Sequence, residues 1–239
     1  MLKIRKIQKQ PLYRQVQDEL LVRIGNGEWL EGEALPSEWA LAGEMEVSQG
    51  TVRKALDGLV LDRVLERRQG SGTYVRPPED PGCIGRAILG SGEIVNLAAE
   101  LLSCSAVRAG EEAAWRLKVA KGEPLWSVRR LLKYGGVVCL AEELLLLARS
   151  VGDLDARQVR PLIGNLPLLY RRVAGMSLVP GGVECRAVLA EREPARLLQV
   201  SEGMPVLLLN RVSTDQEGRP VEWSVAMGRT DQFSVRFRL

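Results

Sequence analysis

Residues 47–75, VSQGTVRKALDGLVLDRVLERRQGSGTYV, decide the reading of this chain. Ser48 is a helix-capping residue type, and after it Val52, Ala55, Leu56, Leu59 and Val60 stand at i, i+3, i+4, i+7 and i+8. That spacing predicts one buried helical stripe and leaves Gln49, Arg53, Lys54 and Asp57 off it, so the first turn is exposed and polar. Arg63 to Arg68 then alternates as a short strand, 69–72 is a turn, and Thr73 to Val75 returns. Upstream, Pro36 and Ser37 start and cap a short helix with Ala40, Leu41 and Met45 inward. Before it, Pro11 opens a run in which Leu12, Val16, Leu20 and Ile24 recur every fourth residue until Gly25 and Gly27. Three helices and a hairpin make a winged helix-turn-helix.

This arrangement suits DNA for physical reasons. A capped helix N-terminus offers free N–H groups to phosphate while its first-turn side chains reach base edges in the major groove. Gly70 and Gly72 let the hairpin backbone approach a phosphate where a Cβ would obstruct, and Arg67 and Arg68 add positive charge beside it. The plainer alternative is a small helical domain whose hairpin merely closes the core.

Three segments in order, Leu35-Pro36-Ser37-Glu38, then Val47-Ser48 with Thr51-Val52-Arg53 and Ala55-Leu56, then Arg67 to Val75, closely resemble the DNA-binding domain of GntR-family bacterial transcription regulators. The resemblance covers 10–76 and implies that Ser37, Ser48, Gln49, Thr51 and Arg53, with Arg68, Gly70 and Gly72 of the wing, meet double-stranded operator DNA. Family members usually carry arginine at the positions of Trp39 and Gln49 and threonine or a similar residue at Gly50. Glutamine pairs with adenine where arginine pairs with guanine, so no family operator is transferred.

Arg76-Pro77-Pro78-Glu79-Asp80-Pro81-Gly82 interrupts any helix or central strand. We read three parts: a DNA-binding domain over 1–76, a linker over 77–83 and a second domain over 84–239. In the second, Ile94, Leu97, Ala98 and Leu101 suit a helix and Trp115 to Val119 a strand. Leu125–Leu132 and Val137–Leu147 read as a hairpin, as do Val206–Thr214 and Arg219–Arg229. Val183–Glu191 and Asp231–Arg238 read as further strands, and Pro167–Ala174 and Pro194–Val200 as helices. The expected class is α+β around an antiparallel sheet.

Gly122-x-Pro124, Arg130, Glu142, Leu168-x-Tyr170, Gly203-x-Pro205, Gly218 to Glu222 with Ser224, and Arg229-x-Asp231 resemble the UTRA domain. This is the effector-sensing module of the HutC branch of GntR regulators, akin to the chorismate lyase fold. The resemblance implies a ligand over the sheet, held by Arg130, Glu142 and Glu222, with Arg229 nearby. An arginine fork accepts a carboxylate or phosphate, and glutamates accept from hydroxyl or amino groups. The alternative for Arg130 and Glu142 is a cross-strand salt bridge. Relatives that bind sugar phosphates tend to show Arg-x-Arg where this chain has Arg130-Leu131-Leu132, which favours a small carboxylate or zwitterionic metabolite. Trp126 and Trp223 either line the pocket or pack in the core.

Composition narrows the function further. The 239 residues contain no histidine, which removes Ser-His-Asp and Cys-His catalysis and every histidine-bearing zinc site. The four cysteines, Cys83, Cys104, Cys139 and Cys185, never form a C-x-x-C pair and are read as reduced, mostly buried thiols. No metal or cofactor is expected. Net charge is only +3, and residues 1–76 hold 12 basic against 11 acidic side chains, so local arrangement must attract DNA. No apolar run approaches a membrane span, and the first six residues are followed by no signal-peptide core; a cytoplasmic protein is expected. The reading is therefore a ligand-responsive repressor acting as a homodimer on a palindrome. Its rivals are a regulator whose second domain is only a dimerisation scaffold, and a chorismate lyase-like enzyme.

Overall fold

The structure, a computed structural model, describes residues 10–25, 28–29, 32–76, 86–89, 94–231 and 233–234. The chain divides into two units, one of residues 1–24 and 28–79 and the other of 25–27 and 80–239. The expected linker at 77–83, Cys83, the first nine residues and the end of the expected last strand lie outside the described residues.

The first unit holds α1 (Leu12–Gly25), α2 (Glu38–Glu44), α3 (Gln49–Leu61), β1 (Leu65–Arg68) and β2 (Gly72–Val75). Val16, Leu20, Leu21, Leu41, Ala42, Val52, Ala55, Leu56 and Leu59 form its helical core. Two positions depart from the expected stripes. Leu12, in the first turn of α1, is 52% exposed, and the buried stripe of that helix includes Gln17 and Leu21. Ala40 faces solvent and Ala42 is buried in its place. Gln17 is tolerated inside because its amide donates to the Ala55 carbonyl at 3.0 Å, which satisfies a buried polar group. The hairpin pairs Leu65 with Val75 and Arg68 with Gly72, and residues 32–35 add a third edge through Leu35 N to Thr73 O and Val75 N to Glu33 O.

The second unit is built on six antiparallel strands in the order β5-β6-β7-β10-β9-β8. These are β5 (Ala98–Arg108), β6 (Pro124–Tyr134), β7 (Val137–Leu147), β8 (Val179–Leu189), β9 (Pro205–Thr214) and β10 (Pro220–Arg229). A small sheet joins β3 (Arg86–Leu89), β4 (Ile94–Asn96) and β11 (Phe233–Ser234). The helices are α4 (Glu111–Leu117), α5 (Ala148–Val151), α6 (Ala156–Val159), a 3-10 turn (Arg160–Leu162), α7 (Leu166–Ala174) and α8 (Arg192–Leu198). Mixed α+β architecture around an antiparallel sheet is as expected, with two local corrections. Residues 94–96 and 98–101 are strand, because β4 pairs with β3 and β5 finds a ladder on β6 from Ala98 opposite Lys133 to Arg108 opposite Pro124. Residues 115–117 are helix, because Ala113, Ala114 and Leu117 pack as one face on Leu125, Leu147 and Trp223. Glu111 and Glu112 in the first turn favour that helix through its dipole.

Alternation along the strands gives the large sheet two distinct faces. Trp126, Arg130, Glu142, Leu144, Leu146, Arg211, Ser213, Glu222 and Ser224 share one, fixed by the registers 130↔142, 146↔222 and 213↔222. Ile163, after the 3-10 turn, and Tyr170 of α7 cover that face. The opposite face carries α4 and α8, whose Ala195 and Leu198 pack on Leu131, Val138 and Val206.

Candidate functional site

At the start of α3 the Ser48 hydroxyl accepts from Thr51 N at 3.2 Å and shares a 2.8 Å hydrogen bond with the Thr51 hydroxyl. Ser37 caps α2 in the same way, accepting from Ala40 N at 3.1 Å. Gln49, Gly50 and Arg53 are exposed. The organising group between the two helices is Glu38, which sequence reasoning left without a role. Its carboxylate accepts from Arg53 Nε and Nη2 at 2.9 and 2.8 Å, from Arg67 at 3.3 Å and from Gln49 at 3.5 Å. The Arg53 guanidinium holds the Glu38 carboxyl below its usual range, with Arg67 adding to the effect. Arg53, read as a free contact for base or phosphate, is thus held by a carboxylate while its side chain stays 56% exposed. Trp39, next to Glu38 in the chain, is 78% exposed.

In the hairpin, Gly70 (φ 71°) and Gly72 (φ 126°) occupy conformations that side-chain-bearing residues rarely adopt, so both glycines are required by the turn. Arg68 stacks 4.0 Å from the centre of the Tyr74 ring and pairs with Glu66 at 2.8 Å. Arg67 bridges Glu38 and Asp57. This surface therefore presents cations held in place by local carboxylates, which explains how a near-neutral unit keeps an ordered basic edge.

The second candidate site is a buried polar cluster on one face of the large sheet. Arg130 donates through Nε and Nη2 to Glu142 Oε2 at 2.7 and 2.6 Å and through Nη1 to the Ile163 carbonyl at 2.5 Å. Ser224 donates to the other Glu142 oxygen at 2.5 Å. Glu222 accepts from Tyr170 OH and, at 2.8 Å, from Ser213, with Arg211 at 3.5 Å. Burial, reinforced by the neighbouring Glu142 charge and opposed by Arg130, pushes the Glu222 carboxyl up to about 8. Two arginines and two glutamates thus share a nearly dry space, where low dielectric strengthens the hydrogen bonds they make to one another and to their neighbours.

The structure brings Arg130, Glu142 and Glu222 together and leaves Arg229 out. Arg229 falls on the opposite face of β10 and pairs with Asp231 at 2.6 Å. Trp126 shares the cluster's face, donating to the Gly152 carbonyl, whereas Trp223 packs on the other face beneath α4. Tyr170 and Ser224 carried the family pattern without an assigned role, and Arg211 and Ser213 gave no sequence signal. Among the described cysteines, Cys139 is buried with its thiol pushed up to about 11 by burial, Cys104 is half-buried and Cys185 is exposed, so fewer of them are buried than the mostly buried set expected. Among the described residues no cluster has the make-up of a metal site, and no helix is long and apolar enough to cross a membrane.

A winged helix-turn-helix unit followed by an antiparallel-sheet unit with a polar cluster defines a class, the two-domain bacterial regulators. Residues 12–75 match the model of bacterial regulatory proteins of the gntR family, and residues 95–234 match the UTRA domain. The chain belongs to the GntR family and carries a UTRA domain. GntR regulators bind DNA and UTRA domains bind small-molecule effectors. The chain is 31% identical over 84% of its length, and 81% of the other, to the histidine utilization repressor of Pseudomonas putida. It is 29% identical over 93% of both chains to the mannosyl-D-glycerate transport/metabolism system repressor MngR of Escherichia coli. Among solved structures it is similar to the ligand-binding domain of a chain assigned to the GntR-family regulators from Bordetella bronchiseptica. That likeness has a TM-score of 0.58 and 28% identity, covering 63% of this chain and 95% of that one. These relatives are regulators, not enzymes, and the lyase-like alternative falls away.

Proposed function

We propose that this protein is a transcriptional repressor that binds a palindromic operator as a homodimer and is modulated by a small carboxylate or zwitterionic metabolite. The observation that carries the reading is the pairing of an exposed, capped first turn on α3 with a buried cluster of two arginines and two glutamates. Ser48, Gln49, Thr51 and Arg53 would meet the major groove, with Ser37, Arg68, Gly70 and Gly72 fixing the backbone. In the cluster, Arg130 would receive a carboxylate of the effector, and Glu142 and Glu222 its amino or hydroxyl groups. A relative named for histidine utilization, a pathway of a zwitterionic amino acid, supports that ligand class. Effector binding would change operator affinity through the linker at 77–83 by a coupling of ~1–3 kcal/mol.

The test is a thermal-shift screen against small carboxylates, amino acids, sugars and sugar phosphates. A ligand at about 100 times its dissociation constant stabilises by ~2.7 kcal/mol. The reading expects a carboxylate or amino acid to act, to lose its effect in Arg130→Ala or Glu142→Ala, and to shift operator affinity. One observation favours a second reading. Arg130 and Glu142 already satisfy one another, as a purely structural cross-strand pair would. Silence across the panel from a dimer still bound to its operator would make the second unit a dimerisation scaffold.

A further inference from the structure

Strand β8 (Val179–Leu189) is one of the two edges of the large sheet, and along its eleven residues only Val183 and Val188 are even half-buried. Val179 and Leu189 at its ends are 45% and 67% exposed. An edge this long leaves unpaired N–H and C=O groups that template pairing with another strand unless it is blunted. The bulge between Pro180 and Val183 interrupts only its start, leaving Val183–Leu189 in unbroken register on β9.

We infer that β8 is the contact between two copies of this chain, paired antiparallel to its own counterpart about a twofold axis through Cys185. Three considerations lead there. A self-complementary contact must be isologous, and an antiparallel ladder is symmetric only about an axis through a directly opposed pair, so one residue of β8 faces its own copy. Charge then selects that residue, because among the possible axes on β8 only one at Cys185 sets opposite charges of the strand against each other. An axis at Glu184 would oppose two glutamates, and one at Arg186 two arginines; either is unfavourable for directly opposed side chains. An axis at Cys185 places Glu184 against Arg186 of the partner subunit, twice, and Val183 against Ala187 of the partner subunit. Glu184 is 62% exposed at its side chain while also paired with Arg116 at 2.7 Å, and Arg186 has no ion-pair partner among the described residues. The two sheets would become one of twelve strands.

This inference rests on the proposed homodimer and specifies its surface. In such a ladder the two Cys185 Cα atoms lie about 4.5 or 5.5 Å apart, within disulfide reach. Mild oxidation of the full chain with copper phenanthroline should therefore give a disulfide-linked dimer that Cys185→Ser abolishes while the other three cysteines remain. In sedimentation equilibrium, Arg186→Glu should weaken dimerisation about tenfold or more, and adding Glu184→Arg should restore it. A dimer insensitive to both changes and not cross-linked through Cys185 would overturn this surface and leave the homodimer standing. A chain that is monomeric at every concentration would overturn both.

Discussion

Arg130 and Glu142 stand directly opposite one another on β6 and β7, and two guanidinium nitrogens reach the same carboxylate oxygen at 2.7 and 2.6 Å with both residues almost fully buried. Removing one partner of such a pair strands a charge in the sheet's interior. Arg130→Ala should cost ~3–5 kcal/mol, read from the urea midpoint. Replacing both by Met and Leu should be milder than either single truncation. A double variant as unstable as the sum of the singles would show that the two do not act as a pair.

Glu222 sets a pH dependence. Its folded-state value, about 8, lies above its ordinary 4.5, so between those values the unfolded chain releases a proton that the folded chain keeps. This contribution to stability is fully present below pH ~4.5 and is lost as pH rises through about 8. Melting temperature of the wild type relative to Glu222→Gln should fall across that interval. A difference that stays flat from pH 5 to 8 would contradict the raised value.

Two helical glycines should respond oppositely to alanine. A Cβ on Gly58 would lie 1.9 Å from the Gln17 amide nitrogen, whose position is fixed by its bond to Ala55 O. Gly58→Ala should destabilise by ~1–3 kcal/mol through overpacking. Gly43 in α2 has open space around it, and Gly43→Ala should stabilise by up to ~1 kcal/mol, measured by chemical denaturation.

Glu38→Gln should loosen the DNA-facing surface. Without the carboxylate, Arg53 and Arg67 lose a common anchor and the surface gains one positive charge. Affinity for arbitrary duplex DNA should rise several-fold at low salt while the preference for the operator falls, read by fluorescence anisotropy at two salt concentrations. An unchanged preference would show that Arg53 is not positioned by Glu38.

The parts of the fold that could be read from sequence were those where local and tertiary demands agree. The stripe from Val52 to Leu59 and both long hairpins carry their periodicity openly. Residues 94–101 mislead because Ile94, Leu97, Ala98 and Leu101 fit a helical spacing, while Ile94 pairs with Ile88 and Ala98 and Leu101 take their conformation from distant β6. In α4 the alternation of Trp115, Leu117 and Val119 suggests a strand, yet Trp115 is 72% exposed and the packing residues are Ala113, Ala114 and Leu117. The four-residue helices α5 and α6 are too short for any period to register. The cluster of Arg130, Glu142 and Glu222 was legible because all three sit on readable hairpins. The parity of β10 excludes Arg229, and Arg211 and Ser213 enter only because Glu222 sits opposite Ser213. Glu38 was hidden because its partners lie 11 to 29 residues away.

The measurement that bears most directly on the central claim is selection of bound sites from a random duplex library by the purified chain, repeated with Arg53→Ala. The account expects a twofold-symmetric consensus with half-sites about one helical turn apart, as paired recognition helices require, and its loss in the variant. No enriched sequence, or the same consensus from Arg53→Ala, would contradict the assignment of α3 as the element that reads DNA.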